Sequence, residues 1–169
     1  MSNRQSRQPP YPSAPEIERR ISLPRWRAVG MGLILLVPIM AVAGVFGDTA
    51  ERTTLRGPNV SAAVEFPTRF RYEMLNYITV SLTNTAARPV DTINVSIDTA
   101  YLSRFSGVVF TPSAEQAYVV PVTEVAPGET RLVRIEIQGN QYGRHTGALH
   151  IESTSGDTLS VALHSIVFP

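Results

Sequence analysis

Residues 77–84, YITVSLTN, decide the fold because apolar and polar side chains alternate along them without a break. Ile78, Val80 and Leu82 fall on one side of an extended chain, and the small hydroxyl residues between them fall on the other. A period of two is typical of a strand with one buried face and one solvated face. We therefore predict that Val80 points into a hydrophobic core.

The same alternation recurs from about residue 58 to the end of the chain. It is found in DTINVSID (91–98), RLVRIEIQ (131–138), ALHIES (148–153) and LSVALHSIVF (159–168). Turn sequences such as Ala126-Pro127-Gly128 and Ser155-Gly156-Asp157 separate these segments. Seven or eight short strands with no helical period predict an all-β domain, an antiparallel β-sandwich over residues 60–169, with Ile135 also in its core.

Two short features suggest a known kind of sandwich. A strand that ends in Asn84 is followed by a turn and a partner strand, and the turn Pro127-Gly128-Glu129 precedes a long strand. In this order of features, residues 60–168 resemble the immunoglobulin-like adhesion modules of bacterial surface proteins. The resemblance implies an immunoglobulin-like fold. It implies no catalytic residue.

An apolar segment precedes the strands. Twenty uncharged residues, 28–47, follow Arg25, Trp26 and Arg27, and as a helix they would extend about 30 Å, the thickness of a bilayer core. Basic residues on the N-terminal flank predict a transmembrane helix over 25–48, with the N-terminus in the cytoplasm. Residues 49–59 would be a linker. The sandwich would then be periplasmic, at the inner membrane of a bacterium.

The same segment allows a second interpretation. Ala41-Val42-Ala43 is an acceptable cleavage site for a signal peptide, so the chain could instead be exported and cut after Ala43. The sequence leaves both interpretations open.

The first 24 residues form a polar arm with five prolines. Such a composition cannot bury enough apolar surface to order itself, so we predict an extended or disordered cytoplasmic arm over 1–24.

Nothing in the sequence predicts catalysis or a cofactor. The chain has no cysteine, and it lacks a Gly-x-Ser-x-Gly nucleophile motif and a phosphate-binding glycine loop. His145, His150 and His164 are not spaced as metal ligands, and the part after the apolar run has nine arginines against twelve acidic residues. We therefore expect no enzyme activity, no metal, no nucleic-acid partner and no small-molecule substrate.

The residues 100–120 interrupt the strand pattern with many aromatic side chains. These rings either cap the open end of the core or form a docking loop. Under the second interpretation, and with the arm and helix included, the candidate partner-binding residues are Tyr11, Trp26, Gly32, Gly47, Tyr101, Phe105 and Phe110.

These features together predict a non-catalytic, single-pass accessory subunit of a bacterial inner-membrane complex, for example a photosynthetic or respiratory one. Its partners would be other membrane-protein subunits and the lipid bilayer. The alternative is a tethered or exported binding module that recognises a peptide or carbohydrate, or acts as a sensor, outside a stable complex.

Overall fold

The computed structural model describes residues 25–42, 44, 47–115 and 118–169. The proline-rich arm over 1–24 lies outside the described residues. The helix α1 (Arg25–Val42) and the β domain are separate units.

The prediction of a transmembrane helix over 25–48 is wrong. The helix α1 has 18 residues, which extend about 27 Å, and its first turn carries Arg25 and Arg27. It ends at Val42, and Gly44 has a positive φ. Within the described part of the chain, no helix is both long and apolar enough to cross a bilayer. The predicted single-pass anchor and inner-membrane location depended on that span and are contradicted with it.

Nine strands make up the rest of the described chain. They are β1 (Thr49–Arg56), β2 (Val60–Arg71), β3 (Leu75–Asn84), β4 (Val90–Ile97), β5 (Phe105–Thr111), β6 (Val119–Val125), β7 (Thr130–Gly139), β8 (Gly143–Ser153) and β9 (Thr158–Phe168). A short helix, α2 (Thr99–Leu102), connects β4 to β5. The segment predicted as a linker over 49–59 thus contains a strand.

The strands form two antiparallel groups that β2 joins. The first group, called here the β3 sheet, has the order β5-β7-β3-β2, with β1 also paired to β2. The second group, the β8 sheet, has the order β9-β8-β4-β6. Residues Val60 to Glu65 of β2 pair with β3, whereas Arg69 to Arg71 pair in parallel with β9. The strand therefore changes sheets near Pro67.

The inner faces of the two sheets share one hydrophobic core. Val80 and Ile135 are fully buried, as predicted, and so are the other apolar residues at alternate positions of β3 and β7. The predicted all-β sandwich is confirmed.

A buried asparagine fastens one end of the sandwich. The Asn84 Nδ2 donates to the carbonyl oxygens of Arg88 and Val125, both at 2.8 Å, and its Oδ1 accepts from the Ala86 amide. Its backbone exchanges hydrogen bonds with the turn at residues 128–129. Because all of its polar atoms are satisfied, Asn84 can be fully buried without the usual cost.

The core position of Val80 predicts a large loss of stability in Val80→Asp. A buried, unpaired carboxylate costs several kcal/mol, a large part of the roughly 5–15 kcal/mol that holds a domain together. The matched control is Ser81→Asp, one residue further on and on the outer face of β3. Thermal melts should show an unfolded Val80→Asp and a nearly normal Ser81→Asp. Equal melts would mean that the strand register is wrong.

The bonds of Asn84 predict that Asn84→Asp destabilises the domain by about 3 kcal/mol. The substitution removes the donor shared by two carbonyl groups and places a carboxylate against them. Asn140→Asp, at an exposed position in the turn from β7 to β8, is the matched control and should change stability little. Urea unfolding curves measure both. A loss in Asn84→Asp no greater than that of the control would contradict the role given to Asn84.

Candidate binding surfaces

Four of the predicted partner-binding residues lie outside the sandwich core or outside the described chain. Trp26 is 85% exposed on α1, and Gly32 is exposed on the same helix. The Gly47 amide donates to the Gly44 carbonyl at 3.0 Å, so it belongs to a tight turn. Tyr11 lies outside the described residues.

The aromatic residues of 100–120 are mainly core residues. Tyr101 is 1% exposed and Phe105 is also buried, with their ring centroids 4.8 Å apart. Phe110 is half-buried and stacks on Tyr118. Tyr101 and Phe105 are therefore closed to a partner in this fold, and they cap the core as the other interpretation of this segment proposed.

Tyr101 takes part in a buried chain of hydrogen bonds at the point where β2 changes sheets. The Ser165 Oγ donates to the Pro67 carbonyl at 2.6 Å. Because that proton is committed, the Tyr101 hydroxyl donates to the Ser165 Oγ, at 2.8 Å. The chain of bonds connects α2, β9 and β2. Burial disfavours the charged phenolate and raises the pKa of Tyr101 to about 12.

The outer surface of the β3 sheet carries exposed apolar side chains. Leu132 is 57% exposed, and Val109, Tyr77 and Leu75 are exposed on the same surface. Val109 and Tyr77 both pair with Glu136 from opposite sides, so the three residues form one row across the strands. We call the surface around Leu75, Tyr77, Val109 and Leu132 the apolar face.

The outer surface of the β8 sheet is different. Its strands present mainly threonine, serine, alanine and histidine to the solvent. Among the described residues, Ile166 is the one large apolar side chain that is exposed there. His150 and His164 each lie near a single carboxylate, at 3.5 Å from Asp98 and 3.3 Å from Glu51. Within the described chain, no three His, Cys, Asp or Glu side chains converge as metal ligands.

The sequence marks the apolar face by apolar residues at strand positions that should point to the solvent. In RLVRIEIQ the buried positions are Val133, Ile135 and Ile137, which puts Leu132 on the polar side. Tyr77 likewise stands on the polar side of YITVSLTN. An apolar residue at an outward position marks a candidate contact surface, but only the structure shows that such positions are neighbours.

Comparisons with known proteins find a distant likeness to solved structures and no related sequence. No family model matches the sequence, and no curated protein matches it. Three solved structures illustrate the likeness. A CARDB domain from Pyrococcus furiosus has 12% identity over 68% of this chain and 97% of that chain, with a TM-score of 0.46.

The second is the GAE domain of GGA2p from Saccharomyces cerevisiae, with 13% identity over 70% of this chain and 98% of that chain, and a TM-score of 0.35. The third is a PapD-like domain of human CEP192, with 12% identity over 68% and 89% and a TM-score of 0.38. At these identities and TM-scores the likeness says nothing about the function of this chain.

The pKa of Tyr101 predicts a loss of stability in alkali. Below pH 10 the phenol is protonated in both states, and between pH 10 and about 12 the unfolded chain releases the proton first. The free energy of unfolding should therefore fall by about 3 kcal/mol across that range. The chain has no lysine, so no ammonium group titrates beside it.

Tyr101→Phe provides the reference for that measurement. The other tyrosines are the same in both proteins, so the stability difference between wild type and variant isolates Tyr101. Denaturation curves from pH 9 to 12 should show this difference shifting in favour of the variant. A constant difference would refute the raised pKa.

Proposed function

We propose that this protein is a non-catalytic subunit that binds another protein of a larger assembly through the apolar face. The observation that carries the proposal is the asymmetry of the sandwich. Four large apolar side chains are exposed on the β3 sheet, whereas the β8 sheet exposes only Ile166 within the described residues. Clustered apolar exposure with a polar rim is typical of contact surfaces, and single exposed residues are ordinary.

The size of the face supports the proposal. Five strands spaced about 4.8 Å apart, with lengths near 30 Å, give a surface of roughly 700 Å². A stable protein–protein contact takes about 800 Å² from each partner. The whole outer surface of the β3 sheet, of which the apolar face is the part on β3, β5 and β7, therefore has nearly the area of one side of such a contact.

The charges around the face specify the partner's chemistry. Glu136 lies between Val109 and Tyr77, and the Arg134 guanidinium lies 3.7 Å from the centre of the Tyr77 ring. Arg134 lies opposite Thr79 on β3, and Thr79 lies opposite Glu65 on β2. Arg134 and Glu65 therefore belong to one row across the strands. The partner surface should thus present apolar side chains and charges of both signs side by side. Aromatic and arginine side chains are common energetic centres of such contacts.

Leu132→Glu tests the proposal. The side chain is exposed, so the substitution should leave the fold intact while placing an unpaired charge in the contact. Ile166→Glu is the matched control, because it makes the same change on the outer surface of the β8 sheet, where Ile166 is 43% exposed. Native gels of mild extracts from the source cells should show wild type and Ile166→Glu migrating with a larger partner. Leu132→Glu should migrate alone.

Two results would contradict the proposal. A wild-type protein that migrates at its own size would favour the alternative of a binding module that acts alone. Comigration of Leu132→Glu with the partner, equal to that of wild type, would show that the apolar face is not the contact surface.

A further inference from the structure

A second site lies at one end of the sandwich, where the connection from β4 to β5 meets the turn from β7 to β8. A cavity of about 420 Å³ opens there, within the size range of small-molecule sites. Its lining includes Arg104 from the first connection, Gln141 and Tyr142 from the turn, and Arg144 and His145 from the start of β8. The cavity lies apart from the apolar face.

The cavity is positively charged. Arg104 and Arg144 both line it, and no carboxylate is among its described lining residues. Neither arginine takes part in an ion pair within the described chain. The one arginine there that does is Arg131, which is bonded to Glu129. The part of the chain after the apolar run is acidic, with nine arginines against twelve acids. Two guanidinium groups in one cavity that no described carboxylate lines are suited to bind an anion.

Hydrogen bonds hold the cavity in shape before any ligand binds. The Arg104 Nη1 donates to the Gln141 Oε1 at 3.1 Å, which restrains the guanidinium. The His145 Nε2 donates to the Gln141 carbonyl at 2.9 Å, and this buried ring packs edge-on against Phe105 at 5.7 Å. Gln141 thus connects the charged group to the core, so less ordering entropy is lost on binding.

An aromatic surface borders the charged groups. Tyr142 is 58% exposed, and its ring lies on Tyr72 with 4.6 Å between centroids. The contact between these two tilted rings restrains Tyr142 while leaving much of its side chain in solvent. A ligand held by the arginines can therefore place an apolar or aromatic part against this ring.

We propose that this cavity binds a small molecule that carries a phosphate monoester. Such a group has a charge of about −1.5 to −2 at neutral pH, which matches two guanidinium groups better than a single carboxylate does. The cavity also has room for the organic part beside Tyr142. Arg104 and Arg144 bind the phosphate, Tyr142 contacts the organic part, and Gln141 and His145 are positioning residues.

Titration calorimetry of the full-length protein with phenyl phosphate and with inorganic phosphate tests the site. Phenyl phosphate should bind more tightly, because it alone reaches the tyrosine. Arg104→Gln and Arg144→Gln should each weaken both ligands about tenfold or more, since each removes a charge-assisted hydrogen bond. Tyr142→Ala should abolish the advantage of phenyl phosphate and leave inorganic phosphate unchanged.

Arg88→Gln is the matched control, since Arg88 is an exposed arginine in the turn from β3 to β4, away from the cavity. It should bind both ligands as wild type does, and thermal melts should show all variants folded. No saturation of the wild type by about 10 mM phenyl phosphate would overturn the site. Equal weakening by Arg88→Gln would also overturn it, because binding would then reflect overall charge alone.

Discussion

The side-chain amide of Asn84 is the constraint on which the arrangement of the two sheets depends. Asn84 lies at the end of β3, which belongs to one sheet, and its side chain donates to the Arg88 carbonyl in the turn before β4 and to the Val125 carbonyl at the end of β6. Both β4 and β6 belong to the other sheet. Toward the opposite end, Ser165 and Tyr101 make a comparable connection through the Pro67 carbonyl. Immunoglobulin domains often join their sheets with a disulfide. This chain has no cysteine, and buried hydrogen bonds at two places provide the connection instead.

The core could be predicted from the sequence because strand alternation is a local property. Val80 and Ile135 are buried because they lie on the apolar side of strands whose side chains alternate between two faces. The strand β1 could not be predicted in this way. Both its faces are largely exposed, so its sequence does not alternate, and it is a strand because β2 offers a paired edge. The apolar run 28–47 led to a wrong prediction of a membrane-spanning helix, because the length of an uncharged run is not the length of a helix.

The two proposed binding surfaces were harder to predict, since both depend on contacts between distant segments. Val109 and Tyr77 become neighbours only through β7, and Arg104 and Arg144 only because the connection from β4 to β5 meets the start of β8 at one end of the sandwich. The aromatic residues near 100–110 were visible in the sequence. The sequence alone could not show that Tyr101 and Phe105 fill the core. Nor could it show that Tyr142, in the turn from β7 to β8, is exposed beside the cavity.

The packing of Tyr101 has a consequence for the evolution of this fold. A Cβ atom at Gly147 would collide with the side chain of Tyr101, and Gly147 has no positive φ that would itself require glycine. The nearest atom is the Tyr101 Cβ, which every residue except glycine has, so the restriction at position 147 comes from the close approach of α2 to β8 and not from the ring alone. In diverged homologues glycine should therefore persist at 147 as long as position 101 carries a side chain, whatever the size of that side chain. Such a fixed glycine can identify distant members of the lineage after overall sequence similarity has been lost.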